Sequence, residues 1–245
     1  MENNWRIWNK DDKVELRTYQ RAVGELPEME SAKQLVNVMK PLYKSGMSVL
    51  DFGCAAGHYY NSVKQLDSNV DYTGADATKK YIEFASNHFK GTSAKFREAD
   101  LFDEKNDLGQ FDIVYCCNVL LHLPDFRTPI RTLLNRSKKY VIIRSLISDT
   151  TLLSRYLYTD DFDKEGNPTN FVHQNTYSKS LLESYVKSLG NYKVTFLVDK
   201  FDATQINKEH KDFDSKIKGV TIVKDNMQIV GSLLFNWNWM VIEKL

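Results

Sequence analysis

The sequence predicts an α/β fold, a mostly parallel sheet with helices on both faces, and three observations carry that prediction. β-rich runs at 48–52, 71–75, 94–97, 111–117 and 140–144 alternate with segments whose apolar residues recur at helical spacing. Such alternation is the order of a parallel sheet built from crossover helices. The chain has 245 residues, 42% hydrophobic and 27% charged, which suits one large domain and excludes a disordered or collagen-like chain. It contains no repeat with a period of 20 to 50 residues, so solenoids and propellers drop out.

The helices follow from their stripes. Leu35, Val36, Met39, Leu42 and Tyr43 mark a helix over 28–43; Tyr59, Val63 and Leu66 mark a second, and Phe126, Ile130, Leu133 and Leu134 a third. Another helix is predicted over 79–89, after the second strand. Leu181, Leu182, Tyr185, Val186 and Leu189 make a further amphipathic helix, capped by Ser178 and closed by Gly190, leading into a strand at 194–198. The stretch 199–218 is polar and charged. Beyond it, 220–223 and 227–230 flank Lys224-Asp225-Asn226 as a hairpin, and 233–242 reads as the last strand. Residues 148–176, rich in Tyr, Phe and Asp with Gly166 and Pro168, are too irregular for sheet core and read as a cap over the site.

Charge excludes some partners. Thirty-three Lys plus Arg against thirty-two Asp plus Glu leave a formal +1, no basic excess to draw the chain onto nucleic acid or an anionic membrane. No window approaches the 18 or more apolar residues of a membrane span and the N-terminus shows no signal-peptide core, so a cytoplasmic protein is expected. Cys54, Cys116 and Cys117 fit neither a disulfide framework nor a CxxC metal site, and read as reduced thiols with no metal.

The chemistry begins at VLDFGCAAG. A hydrophobic strand ends in Asp51, a tight turn holds Gly53, and Gly57 opens the next helix. Glycine in such a turn lets backbone approach a ligand without a Cβ in the way, and a helix N-terminus offers unpaired N–H groups to an anion. A nicotinamide fingerprint would need glycines where Ala55 and His58 stand, and a phosphate P-loop would need Lys-Ser/Thr where His58-Tyr59 stand, so both fail.

The motif resembles that of the class I S-adenosylmethionine-dependent methyltransferases, with an acid and glycines at Asp51, Gly53 and Gly57 and with Ala55 in place of the middle glycine. Further matches follow in order. Asp76 closes the second strand in YTGADAT, where a carboxylate can accept both ribose hydroxyls, as the acid about 20 residues after the glycine turn does in dinucleotide folds. Asp100 follows the third strand in READLFD, and FDIVYCCNVLLHLPD supplies Asp112, Asn118, His122, Pro124 and Asp125.

This resemblance implies a Rossmann-like three-layer α/β/α sandwich, a seven-stranded sheet with its last strand antiparallel, plus lid and hairpin insertions. It also implies S-adenosylmethionine as cofactor and S-adenosylhomocysteine as product. Its implied divisions are a helical leader at 1–45, a cofactor-binding core at 46–147, a lid at 148–177 and the remaining sheet at 178–245. The cofactor-binding residues it implies are Asp51, Gly53, Cys54, Ala55, Gly57, Asp76 and Ala77, then Asp100 and Leu101 beside the adenine, and Asn118 beside the methionyl part. Trp5, Trp8, Arg17, Tyr19 and Arg21 belong to a leader that closes over the cofactor in many members, with Tyr19 or Arg17 expected at the methionyl carboxylate.

Methyl transfer from a sulfonium needs alignment and exclusion of water more than a base. Where the acceptor is a hydroxyl, a base helps; the candidates are His122 at the rim and His173 in the cap, with His210 read as solvated. Tyr156, Tyr158, Phe162, Phe171 and Tyr177 are dense enough to wall an acceptor pocket, or to close the cap on the sheet. Trp237 and Trp239 share a face of the last strand and read as core, as do Cys116 and Cys117.

The chain lacks both the Asn/Asp-Pro-Pro-Tyr/Phe turn and the Pro-Cys nucleophile of base-modifying members, so a small, polar acceptor is expected. Asp160, Asp161, Asp163, Asn170, His173 and Asn175 give the cap its polar side. A protein that binds the cofactor without catalysis, as a partner subunit, is the alternative. The hairpin's edge offers strand pairing for a homodimer.

Overall fold

The computed structural model describes residues 8, 11–157, 162–200, 221–224, 227–230 and 233–245. The expected residues Trp5, Tyr158, Asp160, Asp161 and His210 lie outside the described residues.

Strands β1 (Ser48–Phe52), β2 (Asp71–Asp76), β3 (Lys95–Glu98), β4 (Phe111–Cys117) and β5 (Ser137–Ser148) alternate with α3 (Tyr60–Val63), α4 (Lys79–His88) and α5 (Arg127–Arg136). Before them stand α1 (Asp12–Val23) and α2 (Glu30–Met39). After β5 come β6 (Arg155–Leu157), β7 (Phe171–His173), β8 (Tyr177–Ser178), α6 (Lys179–Ser188) and β9 (Tyr192–Val198). Then follow β10 (Thr221–Lys224), β11 (Met227–Val230), β12 (Leu233–Phe235) and β13 (Trp237–Lys244).

The main sheet runs β3-β2-β1-β4-β5-β13-β9, with β8 pairing alongside β5. Strands β1 to β5 pair in parallel, and β13 lies antiparallel between β5 and β9. The order reverses direction between β1 and β4, the topological switch point at which open α/β sheets bind ligands. The fold is therefore the Rossmann-like seven-stranded sandwich with a reversed last strand.

Strand alternation sorts the core into two layers. Leu50, Phe52, Val114, Cys116, Val141, Ile143, Met240 and Ile242 pack to one side with Ile130 and Leu133 of α5 and Leu182 and Val186 of α6. Val49, Ile113, Tyr115, Ile142 and Trp239 pack to the other with Leu35 and Met39 of α2, Val63 of α3 and Ala85 of α4. The period of two along β1 and β4 thus feeds one residue in turn to each helical layer.

Several boundaries move from the sequence expectation. Helix α2 ends at Met39, just short of Pro41, which has no N–H to continue the ladder. The last run divides at Asn236, whose carbonyl accepts the Ile147 N–H at 3.0 Å, so 233–235 leaves the main sheet. Those residues join the expected hairpin as a third strand, in the order β10-β11-β12. Ser178 caps α6 by accepting from the Leu181 N–H at 3.2 Å, as expected.

Candidate functional site

A cavity of about 440 Å³ opens at the carboxyl ends of β1, β2 and β4. The turn after β1 forms its floor. Gly53 has φ of 90° and donates its N–H to the Ala75 carbonyl at 2.7 Å; a Cβ there would stand 2.4 Å from Val119 Cγ2. Both facts require glycine. Ala55, in place of the family's middle glycine, is held in the left-handed region at φ 46°. Its N–H donates to Asp76 Oδ2 at 2.9 Å, while Asp76 Oδ1 accepts from the Thr78 N–H at 2.8 Å. Burial pushes the Asp76 carboxyl up, and these two donors oppose that shift. The glycine turn and the acid of β2 are thereby one rigid unit.

Ala77, Asp100 and Leu101 line the cavity beside Asp76, and Asp100 Oδ1 fixes its own turn by accepting from the Phe102 N–H at 2.9 Å. Across the cavity, Asn118 leaves β4 with φ of 61° and donates its N–H to the Arg144 carbonyl at 3.0 Å. The next turn carries His122, whose Nδ1 lies 3.0 Å from the His173 carbonyl and whose ring meets Trp8 edge-on at 4.8 Å. A carbonyl only accepts, so Nδ1 carries the proton and Nε2 keeps its lone pair. Burial holds this imidazole down at about 4.

Seven of the sequence-derived cofactor residues, Gly53, Ala55, Asp76, Ala77, Asp100, Leu101 and Asn118, line this one cavity, and so does His122. Four do not. Asp51 is buried behind the turn, accepts from the Tyr72 hydroxyl at 2.8 Å, and is pushed up to about 7 by that burial. Cys54 turns under the sheet toward Gly74, and Gly57 sits where a Cβ would strike Phe96 at 2.6 Å; both shape the turn. Tyr19 points away from the cavity and stacks on Phe84 at 4.0 Å, and burial raises its hydroxyl.

Arg17 lines the cavity in place of Tyr19, together with Val14, Thr18 and Arg21 of the same helix. His173 contributes its backbone carbonyl, and its ring packs against Phe171. None of the described cap aromatics walls the cavity. Tyr177 is buried against Phe126, Phe171 is buried beside His173, and Phe162 is exposed.

The aromatic walls come instead from Trp8, Phe52, Tyr59 and Tyr81. Sequence reasoning passed over Val14, Thr18, Met29, His58, Tyr59 and Tyr81 as site residues. The spacing of Val14, Arg17, Thr18 and Arg21 is that of one helix face, a signal present in the sequence. His58 follows Gly57 directly, and burial drives its imidazole down to about 3. All three cysteines are free and buried, and burial raises each thiol.

A nucleotide-type α/β domain, with a cleft at its switch point and an acid closing each of two successive strands, defines the class. A family model described as a methyltransferase domain matches residues 43–218, and the chain belongs to that family. Phosphoethanolamine N-methyltransferase 3 of Arabidopsis thaliana is 30% identical over 115 residues, 44% of this chain and 22% of that protein. A ubiquinone biosynthesis O-methyltransferase of Colwellia psychrerythraea is 27% identical over 143 residues, 51% of this chain and 57% of that protein. The chain thus spans less than two thirds of the length of either relative.

Among solved structures, the magnesium protoporphyrin IX methyltransferase of Synechocystis, with bound S-adenosylmethionine, aligns over 100% of this chain and 99% of its own. Its TM-score is 0.56 at 12% identity. The plantazolicin methyltransferase BpumL, in complex with a monoazolic desmethylPZN analog and S-adenosylhomocysteine, aligns over 98% of this chain and 93% of its own with a TM-score of 0.56 at 13% identity. At these identities the likeness is one of fold. Among the described residues, no helix is long and apolar enough to cross a membrane.

Proposed function

We propose that the chain binds S-adenosylmethionine in this cavity and transfers its methyl group to a small, polar acceptor. The observation that carries the reading is the Ala55–Asp76–Thr78 unit. It presents a carboxylate to the cavity at the end of β2, fixed by two backbone N–H groups and with lone pairs left for two vicinal hydroxyls. The donor set fits the cofactor: Asp76 for the ribose, Asp100 and Leu101 for the adenine, and Gly53 for the chain that leads to the sulfur. The volume lies within the range of small-ligand clefts.

When bound, this cofactor supplies a methyl group on a sulfonium that leaves as a neutral thioether. The protein's residues hold, align and desolvate. Trp8, Met29, Val119 and Leu123 give the reacting end apolar walls that keep water from a polar acceptor. His122 lines the same space, and its Nε2, left unprotonated by the Nδ1 hydrogen bond, takes the proton of an acceptor hydroxyl. Residues 148–177 act as the lid, because the Asn175 N–H donates to the Leu121 carbonyl at 2.9 Å and His173 meets His122 on the same turn.

Calorimetric titration of S-adenosylmethionine and S-adenosylhomocysteine tests the reading. Micromolar binding to the wild type is expected, weakened at least tenfold in Asp76→Ala with the fold retained by circular dichroism. No binding of either compound to the wild type rejects the proposal.

A further inference from the structure

Arg144 is buried in the middle of β5 and does not line the candidate cavity, yet it connects three parts of the molecule. Its Nε donates to Asp199 Oδ2 at 2.5 Å and its Nη1 donates to Asn118 Oδ1. Its plane lies over Trp237 at 4.1 Å. Asp199, also buried, accepts from Gln34 Nε2 of α2 at 2.7 Å through its other oxygen. Burying an ion pair is costly, and hydrophobic residues of similar size often replace one without loss of stability. Its position against Asn118 supplies a reason for the pair to be here.

A guanidinium has only donors. Whatever faces Arg144 on Asn118 must therefore be the amide oxygen, which turns the amide nitrogen the other way. That nitrogen carries two N–H groups; one lies 3.4 Å from the Tyr59 hydroxyl, itself on the cavity wall. His122 lines the same cavity, and with Nδ1 protonated toward the His173 carbonyl its Nε2 keeps a lone pair. The reacting end of the cavity thus presents a donor and an acceptor together, which an oxygen bearing one proton satisfies at once. A neutral amine commits its single lone pair to the methyl carbon and has none left to accept from Asn118, whereas a hydroxyl oxygen attacks with one lone pair and accepts with the other.

The geometry points to Arg144 as a positioning residue that fixes Asn118 with its N–H groups toward the cavity, so that the site selects a hydroxyl oxygen as methyl acceptor. This inference rests on the proposed cofactor reading. In the transfer, the oxygen forms a bond to the methyl carbon, the carbon–sulfur bond breaks with its electron pair going to sulfur, and the hydroxyl proton passes to His122 Nε2.

Two measurements test it, after titration of S-adenosylhomocysteine into the wild type has settled the cofactor. In protein with 15N-labelled asparagine, the Asn118 side-chain amide signal, assigned by its loss in Asn118→Asp, is expected to move in Arg144→Gln. It is expected to stay near its place in Arg144→Lys, which still offers only donors. An unmoved signal in Arg144→Gln overturns the positioning role, whatever becomes of the cofactor. S-adenosylhomocysteine release is then followed with a phenol, an aliphatic alcohol, a hydroxy acid and a primary amine. Turnover of a hydroxyl probe is expected, with kcat reduced at least tenfold in Arg144→Gln and substantially restored in Arg144→Lys. An amine methylated as fast as any hydroxyl probe, or no hydroxyl probe methylated, overturns the choice of oxygen.

Discussion

Among the described residues, two that are not glycine, Ala55 and Asn118, occupy the left-handed region, and both line the cavity. Such a conformation costs an L-residue about 1–2 kcal/mol. Ala55→Gly removes that strain and forfeits about 0.5–1 kcal/mol to the greater freedom of the unfolded chain. The expected outcome is a change within about 1 kcal/mol, on the stabilising side, read as a small rise in Tm. Gly53→Ala has the opposite logic, since it adds strain at φ 90° and drives a methyl group into Val119. A loss of about 2 kcal/mol or more is expected by chemical denaturation, with S-adenosylmethionine binding weakened as the floor shifts. His122 yields a third expectation. Because burial holds its imidazole at about 4, Nε2 is available throughout the neutral range. The pH profile of kcat/KM should be flat from pH 6 to 8, and His122→Gln should lower kcat by a factor on the order of 10² or more. A limb near pH 6.5 in the wild type would contradict this assignment.

At the scale of elements, the proposed lid is held, among the described residues, by backbone hydrogen bonds and by the side chain of Asn175. Asn175 is buried; its Nδ2 donates to the Leu123 carbonyl at 2.9 Å and its Oδ1 accepts from the Ser154 N–H at 3.1 Å. Asn175→Ala strands both partners, each at a cost of about 1–3 kcal/mol. The variant should lose about 2–4 kcal/mol and become more sensitive to proteolysis between 150 and 176. An unchanged cleavage rate would show the lid to be held elsewhere. Most strands were legible from their apolar runs, and Asp76 was legible with them because it closes the buried run of β2, whereas Asp100 follows the polar β3 and was marked by the family motif rather than by local hydrophobic pattern. The lid's aromatics were not legible in the same way. Tyr177 and Phe171 carry the same side chains whether they face a ligand or the core, and only the pairing of β7 with β6 and of β8 with β5 decides it. Asp51 misleads for a related cause. It sits at the motif's acidic position, but Tyr72 on the neighbouring strand claims its carboxylate. Arg144 and Asp199 are distant in sequence, and no local pattern announces that they pair.

At the scale of the whole molecule, buried groups set opposing pH dependences on stability. Asp51 titrates at about 7 in the folded protein against about 4 unfolded, because burial disfavours its charge. Between those values the native state holds a proton that the unfolded chain has released, so Asp51 removes stability as pH rises, at about 1.4 kcal/mol per pH unit, and has no further effect above about 7. His58 and His122 act in the reverse sense. Both are held far below the ordinary value of 6.5, at about 3 and about 4, so as pH falls below 6.5 the unfolded chain takes up protons that the native state refuses. Their contribution is complete above pH 6.5 and is lost on acidification toward those values. Asp76, also raised by burial, acts in the sense of Asp51, and His173, lowered by burial, acts in the sense of the two histidines. Asp51→Asn keeps an acceptor for the Tyr72 hydroxyl and removes the titration. Relative to wild type, this variant should gain stability steadily from pH 5 to pH 7 and hold the gain at pH 8, as urea denaturation at each pH would read. A difference between variant and wild type that stays constant across that range would mean that Asp51 is ionised throughout in the folded protein, with its charge balanced by a partner other than Tyr72.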